Sequence, residues 1–331
     1  MKAAYITETG STDVIRYGDL PEPTLAAGQV LVRVGAVSVN PIDTYIRGGA
    51  NYWQLPEPYI LGCDLAGTVV EVAAGVKSLK PGDRVWGSNQ GLMGRQGCFS
   101  ELAAVDAQWL YPTPENVSDI QAAACALVGV TAHLGLFHRA HLRAGETLFV
   151  RGGAGGVGSM VVQMAKAVGA RVITTAGGAE KAERCRQMGA DHVIDYKISD
   201  VAQDLSSLAP SGVNVFWETL RDPDFDMAVA SLSENGRMVL MAGRTARPEF
   251  PVGPFYVKSC SLLGVVMFKI AAEQQLQCAQ DINHWLSSGK IQALIDRVLP
   301  LSQTALAHQL QESHTVGKQS LLTGKLVLQP D

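Results

Sequence analysis

The sequence predicts an α/β protein in two parts, a β-rich barrel-like part and a doubly wound parallel sheet. Three observations carry this. Short strand signals punctuated by Gly and Pro crowd the first third of the chain. From Thr147 onward, strand-length apolar stretches alternate with helix-length ones, the pattern of a parallel sheet covered on both faces. The first turn of that second series, "GGAGGVG" at 152 to 158, holds five glycines and one alanine in seven positions.

The early strands are "QVLVRVGAVSV" (29–39), "AGTVVEVAAGV" (66–76), "GDRVWG" (82–87) and "WLYPTP" (109–114), rich in β-branched and aromatic residues. At 119–140 the texture turns to alanine-rich helix. "ETLFV" (146–150) is a strand, and 160–170 a helix, with Met160, Met164 and Val168 at helical spacing and Gly169 as its stop. "RVITTA" (171–176), "HVIDY" (192–196), "VNVFWET" (213–219) and "GRMVLMAG" (236–243) continue as strands, separated by helices at 179–189, 199–209 and 225–234. "SLLGVVMF" (261–268) is strand-sized, 271–289 is helical, and "GKLVLQ" (324–329) closes as a strand.

Composition excludes several classes. The 331 residues are 47% hydrophobic and 18% charged, ordinary for a globular chain with ample core. A net charge of -4 leaves no broad basic face, so nucleic acid is not suggested as a partner. No apolar run approaches the ~18 residues of a membrane span, and the N-terminal stretch lacks the apolar core of a leader. Six cysteines with no Cys-x-x-Cys pair argue against a disulfide framework. The cytoplasm is the expected compartment.

Gly153-x-Gly155-x-x-Gly158 follows a strand, opens a helix and begins a βαβ series, the context that turns a common glycine pattern into a dinucleotide fingerprint of the Rossmann type. A pyrophosphate must approach the amides at the helix N-terminus, and a Cβ would hold it away. An NAD site carries an acid at the end of the second strand to accept the ribose hydroxyls. Here "ITTAGGA" has none from Ile173 to Ala179, and Glu180 falls inside the next helix. Lys181 and Tyr196 are instead suited to a 2'-phosphate, as a point charge and a hydroxyl donor. The expected cofactor is NADPH.

Several stretches together resemble the medium-chain dehydrogenase/reductase superfamily, and more narrowly its zinc-independent quinone oxidoreductases, which include zeta-crystallin. They are "SVNPIDTYIRGG" (38–49), "LGCDLAGTVVEVAAGVKSLKPGDRV" (61–85), "GGAGGVGSMVVQMAKAVGA" (152–170), "GADHVIDY" (189–196), "GRMVLMAGR" (236–244) and "SLLGVVMF" (261–268). The resemblance implies a GroES-like domain at 1–123, a Rossmann domain at 124–299, and a return of 300–331 to the first domain, with the substrate cleft between the domains. It also implies contacts near the nicotinamide from Asn40, Tyr45 and Thr131, and to the pyrophosphate from Ala154, Gly155, Gly156 and Val157. Gly177, Lys181 and Tyr196 would surround the adenosine phosphate. Met241, Ala242, Gly243 and Arg244, with Val265, Val266 and Met267, would line the cofactor from the far strands. Gly178 stands where some relatives have a hydroxyl, and Asp222 near a position occupied by Asn in zeta-crystallin. Trp217 is equally suited to core and to cleft.

Many members of the superfamily are zinc alcohol dehydrogenases, with Cys where this chain has Asn40 and Gly-His-Glu where it has Gly62-Cys63-Asp64. A catalytic zinc takes three protein ligands. Cys63 and Asp64 would supply two and Asn40 is a poor third, so no functional metal is expected and Cys63 is read as a small buried side chain. What the resemblance then implies is an NADPH-dependent reductase of quinones, with alkenals, enones and acrylates as the alternative acceptors. Asn40, Tyr45 and Arg244 would be the polar groups facing the acceptor, and Asp43 would orient that loop from behind. A reading of another class is a zeta-crystallin-like NADPH- and RNA-binding or structural protein with incidental turnover. The apolar "SLLGVVMF" and the superfamily's habit of pairing that strand across a two-fold axis imply a homodimer.

Overall fold

The strand Gln29–Ser38 organises a seven-stranded sheet. Burial alternates along it through Val30, Val32 and Val34, as expected of one face on a core, and becomes continuous from Ala36 to Ser38. Asp64–Val72 and Leu102–Asp106 pair with it antiparallel, and Lys325–Gln329 joins at Ser38↔Val327, with Ile295–Pro300 parallel beyond. A smaller sheet joins Arg16–Asp19, Lys2–Ile6 and Tyr59–Ile60. The described residues of this computed structural model are 1–50, 53–317, 319 and 322–331.

The chain divides into two units: Met1–Leu127 with Phe268–Ser287 and Ala293–Asp331, and Val128–Met267 with Ser288–Gln292. The second holds a six-stranded parallel sheet in the order His192–Asp195, Arg171–Ala176, Thr147–Arg151, Val213–Glu218, Leu232–Leu240, Ser261–Gly264. Numbered along the chain this is 3-2-1-4-5-6, the doubly wound dinucleotide-binding order. Phe149, Ile173, Ile194, Phe216 and Met238, one from each of five strands, share its core.

Several boundaries differ from the sequence reading. The helix Ala272–Ser287, grouped above with the nucleotide-binding part, clusters with the first unit. Its Asn283 accepts from Trp86 Nε1 and donates to the Pro112 carbonyl, both at 2.8 Å, and Gln275 accepts from Asn89. The helix expected over 119–140 runs as Asp119–His133 and ends in a π turn, Leu134–Arg139. Of "SLLGVVMF" only Ser261–Gly264 is strand, because a 3-10 turn, Met267–Lys269, takes its end. The helices Pro41–Arg47 and Thr304–Thr315 and the strands Lys2–Ile6 and Arg16–Asp19 carried no recognised signal. One run, contrary to the sequence expectation, is long and apolar enough for a membrane span. Asp119–Arg139 passes by length and composition, but 78% of its most apolar window is buried inside the protein.

Candidate active site

In the first unit, pairing of Ser38 with both Asp64 and Val327 brings three distant stretches to one point. Ser38, Asn40, Asp43, Cys63 and Asp64 are at most 1% exposed, and Lys325 is 5% exposed. Asp64 Oδ2 accepts from Ser38 Oγ at 2.9 Å and from Asn40 Nδ2 at 2.8 Å. Asn40 Nδ2 also reaches the Ser38 carbonyl at 3.3 Å, while Asn40 Oδ1 accepts from Lys325 Nζ at 2.5 Å. Asp43, from the first turn of the helix, accepts the Asn40 backbone N–H at 2.7 Å and the Cys63 thiol at 2.8 Å. Lys325 gives a further bond to the Val39 carbonyl.

Two carboxylates and one ammonium buried this deeply are poorly solvated. Burial pushes Asp43 up to about 7, the bonds from Cys63 and the Asn40 amide acting against it. Burial also raises Asp64 and lowers Lys325, with Lys325 and Asp64 opposing those shifts in each other. The Cys63 thiol is raised well above its ordinary value by burial and by Asp43, so it is a protonated donor. The expectation that Asn40 itself donates to an acceptor therefore meets a geometry in which its amide is spent on protein partners. Its neighbour on the helix, Tyr45, keeps partial exposure. Lys325 was missed: alone in "GKLVLQ" it carries no signal of burial.

In the second unit the expected cofactor residues follow the carboxyl ends of five parallel strands. Ala154 to Val157 follow Thr147–Arg151, Gly177 follows Arg171–Ala176, and Tyr196 follows His192–Asp195. Met241 to Arg244 follow Leu232–Leu240, and Val265 to Met267 follow Ser261–Gly264. Carboxyl ends of parallel strands share one edge, where ligands of open α/β sheets bind. Thr131 lies on the helix Asp119–His133 and is 5% exposed. Arg244 and Ala242 are exposed.

The glycine turn divides its labour. A Cβ on Gly153 would lie 2.2 Å from Thr174 Oγ1 and one on Gly158 2.1 Å from the Gly152 carbonyl, so these two serve close packing of strand and helix. At Gly155 a Cβ would meet no protein atom nearer than 3.5 Å, which leaves that face open to a ligand. No side chain caps the helix Gly156–Ala167, whose first amides lack intrahelical acceptors. This cradle fits a pyrophosphate.

Around the turn, Glu218 was not singled out. It is fully buried at the end of its strand, raised by burial, and pairs with Arg151 at 3.3 Å. Trp217 is fully buried, its ring lying where a Cβ on Gly135 would be 2.1 Å away, so it belongs to the core. Gly178 sits at φ +97, which explains a glycine where a hydroxyl residue was conceivable.

Two family models match the chain, the alcohol dehydrogenase GroES-like domain over residues 26–115 and the zinc-binding dehydrogenase over 156–282. Fold and comparisons thus define an oxidoreductase of the medium-chain dehydrogenase/reductase superfamily. A rat quinone oxidoreductase is 32% identical over 97% of this chain and 98% of its own. An Arabidopsis thaliana chloroplastic NADPH-dependent alkenal/one oxidoreductase is 34% identical over 96% of this chain and 78% of its own. The solved structure of Escherichia coli quinone oxidoreductase complexed with NADPH superposes with a TM-score of 0.86 at 27% identity, covering 100% of both chains. The chain belongs to the quinone oxidoreductase family.

Proposed function

We propose that the protein is an NADPH-dependent reductase of quinones that works without zinc. The observation that carries the cofactor assignment is the convergence of the glycine turn, Gly177 and Tyr196 on the carboxyl edge of one parallel sheet, with no acid between Ile173 and Ala179. Ala154 to Val157 would hold the pyrophosphate, Gly177, Lys181 and Tyr196 the adenosine phosphate, and Thr131, Met241 to Arg244 and Val265 to Met267 the rest. NADPH supplies the hydride when bound, which is the cofactor's own chemistry. Tyr45 and Arg244 act on the acceptor as hydrogen-bond donors while negative charge builds on its oxygen. The proton that completes the hydroquinone comes from water. Asn40 contributes by position, since its amide joins Lys325 to Asp64.

The absence of zinc from this reading rests on the donor set. A catalytic zinc takes three protein ligands drawn from Cys thiolate, His and Asp or Glu, plus an open position. Here Cys63 and Asp64 could supply two, but Asn40 is a poor third, and its side-chain oxygen already accepts from the Lys325 ammonium.

The second reading, a reductase of conjugated alkenals and enones, is favoured by the naming of the Arabidopsis relative. NADPH oxidation assayed with a panel of quinones, enals, enones and acrylates separates the two. A quinone as the acceptor with the highest kcat/KM supports the first reading, and an enal or enone supports the second.

A homodimer is part of the proposal. Ser261–Gly264 ends the sheet with one neighbour, and beside it Val252, Tyr256, Val257, Leu262 and Val266 are 40 to 69% exposed, an apolar edge suited to a second copy. A cytoplasmic location accords with six free cysteines, five of them buried.

A further inference from the structure

Two consecutive glycines end the strand Arg171–Ala176, and each lies beneath a donor from the neighbouring strand's end. A Cβ on Gly177 would be 2.3 Å from the Tyr196 hydroxyl, and one on Gly178 would be 4.0 Å from Lys197 Nζ. The register explains this: Ala176 stands opposite Asp195, so 177–178 and 196–197 leave the sheet side by side. Asp195 clips the two loops together, its Oδ1 accepting from the backbone N–H of Gly178 and of Lys197, both at 3.0 Å. Lys197 is exposed and makes no ion pair among the described residues. Glu180, the nearest acid on the following helix, is paired with Arg184 at 2.9 Å.

We infer that Lys197 is a second cation for the 2'-phosphate of the cofactor, and that Asp195 is the positioning residue that holds it there. A phosphate monoester carries about -1.5 to -2 at neutral pH, more than Lys181 alone would balance. Lys181 approaches from the helix Ala179–Gln187 and Lys197 from the opposite loop, with the bare backbone of Gly177 and Gly178 as the floor. The Asp195 charge does not defeat this, because its Oδ1 is engaged by two backbone N–H donors. The inference rests on NADPH being the cofactor, and it deepens that reading by adding the residues that discriminate.

Calorimetric titration with NADPH, NADH, adenosine 2',5'-bisphosphate and 5'-AMP tests it without turnover. Lys197→Ala should weaken NADPH and the bisphosphate about tenfold or more, the scale of a lost charge-assisted bond, and leave NADH and AMP unchanged. Lys197→Arg should keep the preference. Asp195→Asn and Asp195→Ala both lack the charge, but Asn retains the accepting oxygen, so the preference for NADPH should survive in the first and fall in the second. Lys197→Ala with the wild-type ratio of NADPH to NADH affinity, while Lys181→Ala loses it, would overturn the role of Lys197 and leave the cofactor reading intact. Equal ratios in the two Asp195 variants would overturn the clip. A wild-type protein that binds NADPH and NADH alike would overturn both the inference and the cofactor reading.

Discussion

Lys325 donates to the side-chain oxygen of Asn40 at 2.5 Å across 285 residues of sequence, and Asn40 in turn donates to Asp64. The ammonium is the counter-charge of a buried pair of aspartates. Removing one partner of such a group strands the others, typically at about 3–5 kcal/mol. Lys325→Met should therefore lower stability by about that amount in urea titration, and adding Asp64→Asn should restore part of it. A single variant within about 0.5 kcal/mol of wild type would mean the carboxyls are both neutral without Lys325.

The same bond separates two residues first expected to share a role. Tyr45→Phe should lower quinone turnover by about 10²-fold, the scale of one lost oxyanion donor. Asn40→Ala should lower turnover and melting temperature together, because it removes the link between Lys325 and Asp64. An Asn40→Ala protein as stable as wild type would contradict the positioning role.

Two buried groups set opposing slopes of stability with pH. Asp43 is raised from 3.8 to about 7 by burial, so the folded state keeps a proton that the unfolded chain releases, and stability falls as pH rises between about 4 and 7. His308 is lowered from 6.5 to about 3, by burial first and the Arg47 charge second, so stability falls as pH drops between about 6.5 and 3. Among the described residues its ring has no hydrogen-bond partner, and it stands edge-on to Phe99, with centroids 6.2 Å apart. His308→Phe should thus gain more stability over wild type at pH 4 than at pH 7, measured by urea midpoints. An equal difference at both values would mean His308 does not titrate on unfolding.

What the sequence made legible was local. The glycine turn is decided by steric demands within a few residues, and strand–helix alternation needs only periodicity, so the doubly wound sheet and its carboxyl edge were foreseeable. The polar cluster was not, because Ser38, Asp64 and Lys325 meet only through strand pairing between distant stretches. The ion pair of buried Arg47 with half-buried Glu312, joining two unrecognised helices, escaped for the same reason. Trp217 stayed undecided because apolarity alone does not separate core from cleft; the approach to Gly135 decided it. The helix Ala272–Ser287 was placed in the wrong part because its amphipathic pattern does not say which core it covers.

The exposed edge Ser261–Gly264 leads to an assembly prediction. Leu262→Asp combined with Tyr256→Glu should convert a dimer into a monomer in light scattering at micromolar concentration, through charge on an apolar pairing surface. A wild-type monomer under those conditions would contradict the proposed interface.

In the proposed reaction hydride passes from NADPH to an electron-poor acceptor with no metal to assist it. Without a Lewis acid, an alcohol is not activated for oxidation at neutral pH, whereas a quinone needs no such help. The direct measurement compares, in protein treated with a chelator, the rate of NADPH oxidation by a simple quinone with the rate of NADP reduction by simple primary and secondary alcohols. The expected result is sustained quinone reduction, unchanged by the chelator, and alcohol oxidation slower than it. Alcohol oxidation as the faster reaction, lost on chelation and restored by zinc, would contradict it.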